Sequence, residues 1–114
     1  MTPTLEQMEL AAKSIGLVRH GSAFADTFLV KKTRENASAY GVEWNPLTSG
    51  DDSQRLQVKL RIDVDWFDKR TSVQAWMEGF IVSCIPNPSI PDDDLRAMKE
   101  AIFLVAVEIG RAMK

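Results

Sequence analysis

The stretch RIDVDWFDKRTSVQAWMEGFIVSC, residues 61–84, decides the fold. Ile62, Val64 and Trp66 alternate with Asp63 and Asp65, which is the period-two pattern of a strand with one buried face. Asp68-Lys69-Arg70 is a turn, and beyond it Val73, Ala75 and Met77 share one face. The phase then shifts, so that Phe80, Val82 and Cys84 continue that face. An extra residue at Gly79 reads as a β-bulge that restores the inward register of one long strand. Residues 62–84 are therefore expected to form a hairpin, and so short a connection makes the sheet antiparallel, since a parallel crossover takes a dozen residues or more.

Toward the C-terminus, Pro86, Pro88 and Pro91 exclude strand pairing and helix through Ile85 to Ile90, which predicts an extended connector. Pro91 and Asp92-Asp93-Asp94 then open a helix over 92–113, their charges favoured by the positive end of its dipole. Leu95, Met98, Ala101, Ile102, Val105, Ala106, Ile109 and Met113 make its core-facing stripe. Phe103, Leu104 and Val107 project away from that stripe, so the apolar arc is wider than a surface helix carries. Either a loop such as Lys31–Tyr40 or a second subunit should cover them.

Toward the N-terminus, Trp44-Asn45-Pro46-Leu47 is a turn signal, because proline fixes its own backbone and pushes Asn45 out of helical geometry. Thr48, Ser49, Asp51 or Asp52 caps the short amphipathic helix that follows over 51–60. Two short strands are expected in Leu17–Trp44, around Phe24, Phe28, Leu29 and Val30 and around Tyr40 and Val42, with the charged run 31–38 between them. A first helix over 3–15, capped by Thr2 or Thr4, repeats Leu5, Met8, Ala12 and Ile15 at helical spacing and ends at Gly16.

Three of these segments carry a family resemblance: Trp44-Asn45-Pro46-Leu47-Thr48 with its acidic sequel, Gln54-Arg55-Leu56-Gln57-Val58-Lys59-Leu60, and Ala106-Val107-Glu108-Ile109-Gly110-Arg111-Ala112-Met113. They resemble the phage ABA-sandwich domain proteins, small proteins of bacteriophages and prophages. The resemblance covers mainly residues 44–67 and 95–113 and implies an α/β/α layered domain; with no agreed catalytic residues, it transfers no role to Trp44, Asn45 or Arg111. Together the patterns predict an α/β fold of the α+β type: one domain over 1–114, an α/β/α sandwich with a mainly antiparallel sheet of about four strands and three helices.

Composition narrows the function classes. The 14 basic and 16 acidic residues leave a net charge of -2 in 114 residues, no footprint for nucleic acid or an anionic membrane. Cys84 is the only cysteine, which excludes an intrachain disulfide and fits a reducing, cytoplasmic compartment. The N-terminus does not read as a signal peptide, and Ala101–Val107 is far short of the roughly 20 apolar residues that span a bilayer.

Candidate chemistry is sparse. His20, the one histidine, lacks a nucleophile in any recognisable elbow. Asp63, Asp65 and Asp68 with Asp92, Asp93 and Asp94 fit no cation-binding loop, so no metal and no cofactor are expected. Cys84 faces inward as a small hydrophobe. The expected function is non-enzymatic binding, most plausibly of a host protein, through Trp76, which is out of phase with Val73 and Met77, and through Phe103, Leu104 and Val107, the same surface serving a homodimer. The alternative is a nucleotide-like ligand module, with Arg55, Lys59 and Arg61 on phosphates, Lys69 and Arg70 nearby, and Trp66 or Trp76 against the base.

Overall fold

The computed structural model describes residues 3–18, 29–30, 42–67, 72–77 and 79–113. These form, in chain order, α1 (Leu5–Ser14), β1 (Leu29–Val30), β2 (Val42–Glu43), α2 (Gly50–Leu60), β3 (Asp63–Phe67), β4 (Ser72–Met77), β5 (Phe80–Cys84) and α3 (Asp93–Ala112). The protein is α+β, with three helices and a three-stranded antiparallel sheet in the order β3-β4-β5. The strands expected near residues 29–30 and 42 form a separate antiparallel pair, Val30 opposite Val42. The segment between them, and His20, Lys69 and Arg70, lie outside the described residues.

Each helix starts and stops for local reasons. The Gln7 N–H donates to Thr4 Oγ1 (3.1 Å) and the Thr4 N–H to Gln7 Oε1 (2.9 Å), a reciprocal cap that satisfies two otherwise orphaned donors. Gly16, at φ 78°, closes α1: Leu17 N–H returns to Ala12 O and Gly16 N–H to Lys13 O. For α2 the cap is Ser49, which accepts from the Asp52 N–H, while Asp52 accepts from the Asn45 N–H (3.0 Å) and ties the Trp44-Asn45-Pro46-Leu47 turn to the helix start. Trp44 and Pro46 are buried, so this motif anchors the fold. Arg61 ends α2 in the left-handed region at φ 56°, a conformation that costs a residue with a Cβ about 1–2 kcal/mol.

The hairpin differs from expectation at Gly79. Met77 pairs with Phe80, so two residues connect β4 to β5, with Gly79 at φ 85°. Residues facing each other across so tight a turn point the same way, and a bulge would give the same phase shift. The proline connector is not extended either: Ile90 N–H bonds Asn87 O and Asp93 N–H bonds Ile90 O, so it folds through successive turns.

Register makes the inner face of the sheet from the rows Val64–Ala75–Val82 and Trp66–Val73–Cys84, with Met77 and Phe80 beyond them, and α3 lies across β4 and β5 on that face. Both α1 and α2 pack on α3 rather than forming a second layer across the sheet. Among the described residues all helices thus stand on one side, and the opposite side expected to be covered in an α/β/α sandwich is open. Phe103, Val105, Val107 and Ile102 are buried at the centre with Leu56, Val73 and Ala11. Where α1 crosses α3, Gly110 meets the backbone of Leu10.

Candidate functional site

The wide apolar arc of α3 is accounted for within the chain. Phe103 and Val107 are buried and Leu104 is packed against the core, because α3 is covered by the sheet, α1 and α2 together. The expectation of spare apolar surface at Phe103, Leu104 and Val107 is corrected: a central helix needs apolar residues on nearly all sides. The free ends of the expected stripe are instead Leu95 and Met113, both exposed.

Of the large apolar side chains that face outward, Phe67, Trp76, Ile81 and Ile85 lie on the open side of the sheet, while Leu5, Val18, Val58, Ile90, Leu95 and Met113 are spread over other parts of the chain. Strand alternation places Asp63, Trp76 and Ile81 in one row and Asp65, Gln74 and Ser83 in the next, with Phe67 and Ile85 at the far end. Trp76 is 38% exposed, Phe67 44%, Ile81 66% and Ile85 74%. The Trp76 indole Nε1–H donates to Asp65 Oδ2 (2.7 Å), a diagonal cross-strand bond to a charged acceptor that fixes the ring on the surface. Gln74 Nε2–H reaches Ser83 Oγ (3.4 Å) beside it. The outward phase of Trp76 was legible in the sequence; Ile81 and Ile85 were missed, although the inward run Phe80, Val82, Cys84 already sends their positions to the opposite face.

The residues of the nucleotide-like alternative are not brought together. Arg55 and Lys59 stand one turn apart on the exposed side of α2, and Arg61 is exposed at its end. Trp66 points to the inner face, half-buried against the core, and lies five strand positions beyond Arg61, roughly 16 Å at the rise of a strand.

Charged groups at the start of α3 are committed to structure. Arg96 forks onto buried Asp93, Nε to Oδ1 (2.9 Å) and Nη2 to Oδ2 (2.7 Å), while Nη1 reaches Glu100 (2.7 Å) and Nη2 also donates to Ile85 O (3.2 Å). The Asn87 N–H donates to the same Asp93 carboxylate. Arg96, and then the Asn87 amide, hold the Asp93 carboxyl down to about 2. Burial, then Glu100, pushes the Cys84 thiol up, opposed by Arg96. Asp63 and Asp65 lie on the outer sheet face, away from Asp93, and among the described residues no three His, Cys, Asp or Glu side chains are placed to hold a metal ion.

A cleft of about 440 Å³ separates the first turns of α2 from α3. Leu95 and Met98 line it with the buried Ser53 and with Gln54, Gln57 and Lys99. No described helix is long and apolar enough to cross a membrane. Among the described residues, fold and surface together define an α+β arrangement with a central helix and a sheet covered by helices on one face. No family model matches the chain, and neither a curated protein nor a solved structure matches it.

Proposed function

We propose that this chain acts by binding another protein, with the open face of β3-β4-β5 as the contact surface. The observation that carries the reading is that exposed Trp76 and Ile81 at one end, and Phe67 and Ile85 at the other, share the outward face of a sheet whose other face is built into the core. Interface energy concentrates in aromatic anchors held in place before binding, and the bond from Trp76 to Asp65 does that holding. The resemblance to phage ABA-sandwich domain proteins is the ground for proposing a host protein in the bacterial cytoplasm as the partner, with evasion of host defence as the proposed setting.

The test compares wild type with the double substitution Trp76→Ser and Ile81→Ser, both first shown to be folded by circular dichroism. Host proteins retained by wild type and released by the variant, with amide protection confined to β3-β5, support the reading. Equal retention by both, or protection on α2 instead, refutes it.

A second reading, a small-molecule module, has the α2–α3 cleft in its favour, since its volume lies in the range of ligand pockets. Saturating nucleotides or nucleosides raising the melting temperature of wild type, and not of Gln57→Ala, would support it. No shift across such a panel rejects it.

A further inference from the structure

We infer that the free edge of β5 pairs, antiparallel and across a twofold axis centred on Ser83, with β5 of a second copy of this chain. The pairing is made through the backbone edge of β5; it shares the side chains of Ile81 and Ile85 with the host-partner reading, and oligomeric state rather than retention of host proteins is what tests it.

The two edges of the three-stranded sheet are unlike. β3 carries Asp63 and Asp65, and a twofold pairing there would bring identical carboxylates together, the usual protection of an edge strand. β5 has no such protection, because no Lys, Arg, Asp or Glu occurs from Gly79 to Pro91. A tight hairpin closes with the Met77–Phe80 pair exchanging hydrogen bonds. Ladder alternation then turns the N–H and C=O of Ile81 and Ser83 toward the free edge. Among the described residues nothing pairs with that edge.

The outward side chains of this edge read Ile81, Ser83, Ile85, which is the same in both directions about Ser83. A twofold axis at Ser83 therefore sets Ile81 against Ile85 of the second copy at both ends, and Ser83 against its own equivalent, the self-complementarity an isologous interface requires. Ile81 and Ile85 are also the two most exposed large apolar residues described. The ladder is bounded by Arg96, which already occupies the Ile85 carbonyl, and by Pro86, which has no N–H to donate. Six strands would then run continuously through the dimer.

Sedimentation of the full chain over a wide concentration range tests this, with Ser83→Lys and Ser83→Cys alongside. Wild type is expected to sediment as a dimer. Ser83→Lys should be monomeric with an unchanged circular dichroism spectrum, since it opposes two ammonium groups across the axis. Ser83→Cys should form a reducible disulfide-linked dimer under mild oxidation, as directly paired antiparallel residues lie within disulfide reach, whereas wild type with Cys84 buried should not. A wild type that stays monomeric throughout overturns the inference. So does a Ser83→Lys protein that remains dimeric, or a dimer in which Ser83→Cys fails to cross-link.

Discussion

Gly110→Ala puts the packing of α1 on α3 to a quantitative test. In an exposed helix interior this substitution stabilises, by about 1 kcal/mol, because alanine is the better helix former. At Gly110 the added methyl would be driven into the Leu10 carbonyl oxygen and would stand 2.6 Å from its carbonyl carbon, where ordinary contact begins at 3.4 Å. Neither atom is the end of a flexible side chain, and the oxygen is the nearer of the two, so the helices must part by about 1 Å or more. A gap of that size forfeits roughly a quarter to a half of the dispersion energy at each contact, along a seam that includes buried Met8, Ala11 and Ala12 of α1. Overpacking of this kind costs about 1–3 kcal/mol, and the loosened seam adds to it. After the propensity gain of about 1 kcal/mol, a net loss of about 1–2 kcal/mol is expected. For a domain of this size that is a fall in Tm of roughly 4–8 °C. Thermal and urea unfolding followed by circular dichroism reads it directly. An unchanged or higher Tm would show that α1 does not approach α3 at Gly110, and the account of the central helix would fail with it.

Three further outcomes follow from the caps and the Asp93 cluster. Asp93 has a folded pKa of about 2 against an unfolded value near 3.9, so its stabilisation is complete above about pH 5 and is lost as pH falls toward 2. The Tm difference between wild type and Asp93→Asn should accordingly be constant near neutrality and shrink in acid; a difference that grows in acid contradicts the pairing. Arg61→Gly relieves a left-handed residue at the end of α2 and should stabilise by about 0.5–1 kcal/mol after the added chain entropy of glycine, with a lower Tm as the contrary result. Cys84, buried and with its thiol pKa raised, should react with a disulfide reagent only as the protein opens, and immediate modification of the native protein would contradict its burial.

What was legible in the sequence was local. The caps at Thr4 and Ser49, the glycine stop at Gly16 and the alternation Ile62–Val64–Trp66 each need only neighbours a few residues away. The bulge read at Gly79 failed because Met77 and Phe80 point the same way whether two residues turn the chain or one interrupts it. Length was the overlooked signal, since a single strand running from residue 72 to 84 would exceed the usual 3–10 residues. The connector misled because proline excludes helix and ladder without specifying extension; the turns are set by Asn87, whose side chain accepts from Ser89 N–H (3.0 Å), and by Asp93. For the ligand set of Arg55, Lys59, Arg61 and Trp66, the period-two pattern already turned Trp66 inward with Ile62 and Val64, whereas the three cations are exposed.

The misreading of α3 carries the larger consequence for function. Apolar residues on nearly every side of a helix signal that something surrounds it, and whether that something is the same chain or another depends on contacts remote in sequence, here with α1 and the sheet. A strand is less ambiguous, because it has only two faces. Once Val73, Ala75 and Cys84 fill the inner face of β4 and β5, Trp76 and Ile81 are turned to the other face, which no described helix covers. Binding arguments for this protein therefore belong on the sheet. Its charged groups are consistent with that placement: Asp93, Arg96 and Glu100 hold the connector to α3, while Asp65 fixes the Trp76 ring on the outer face of the sheet.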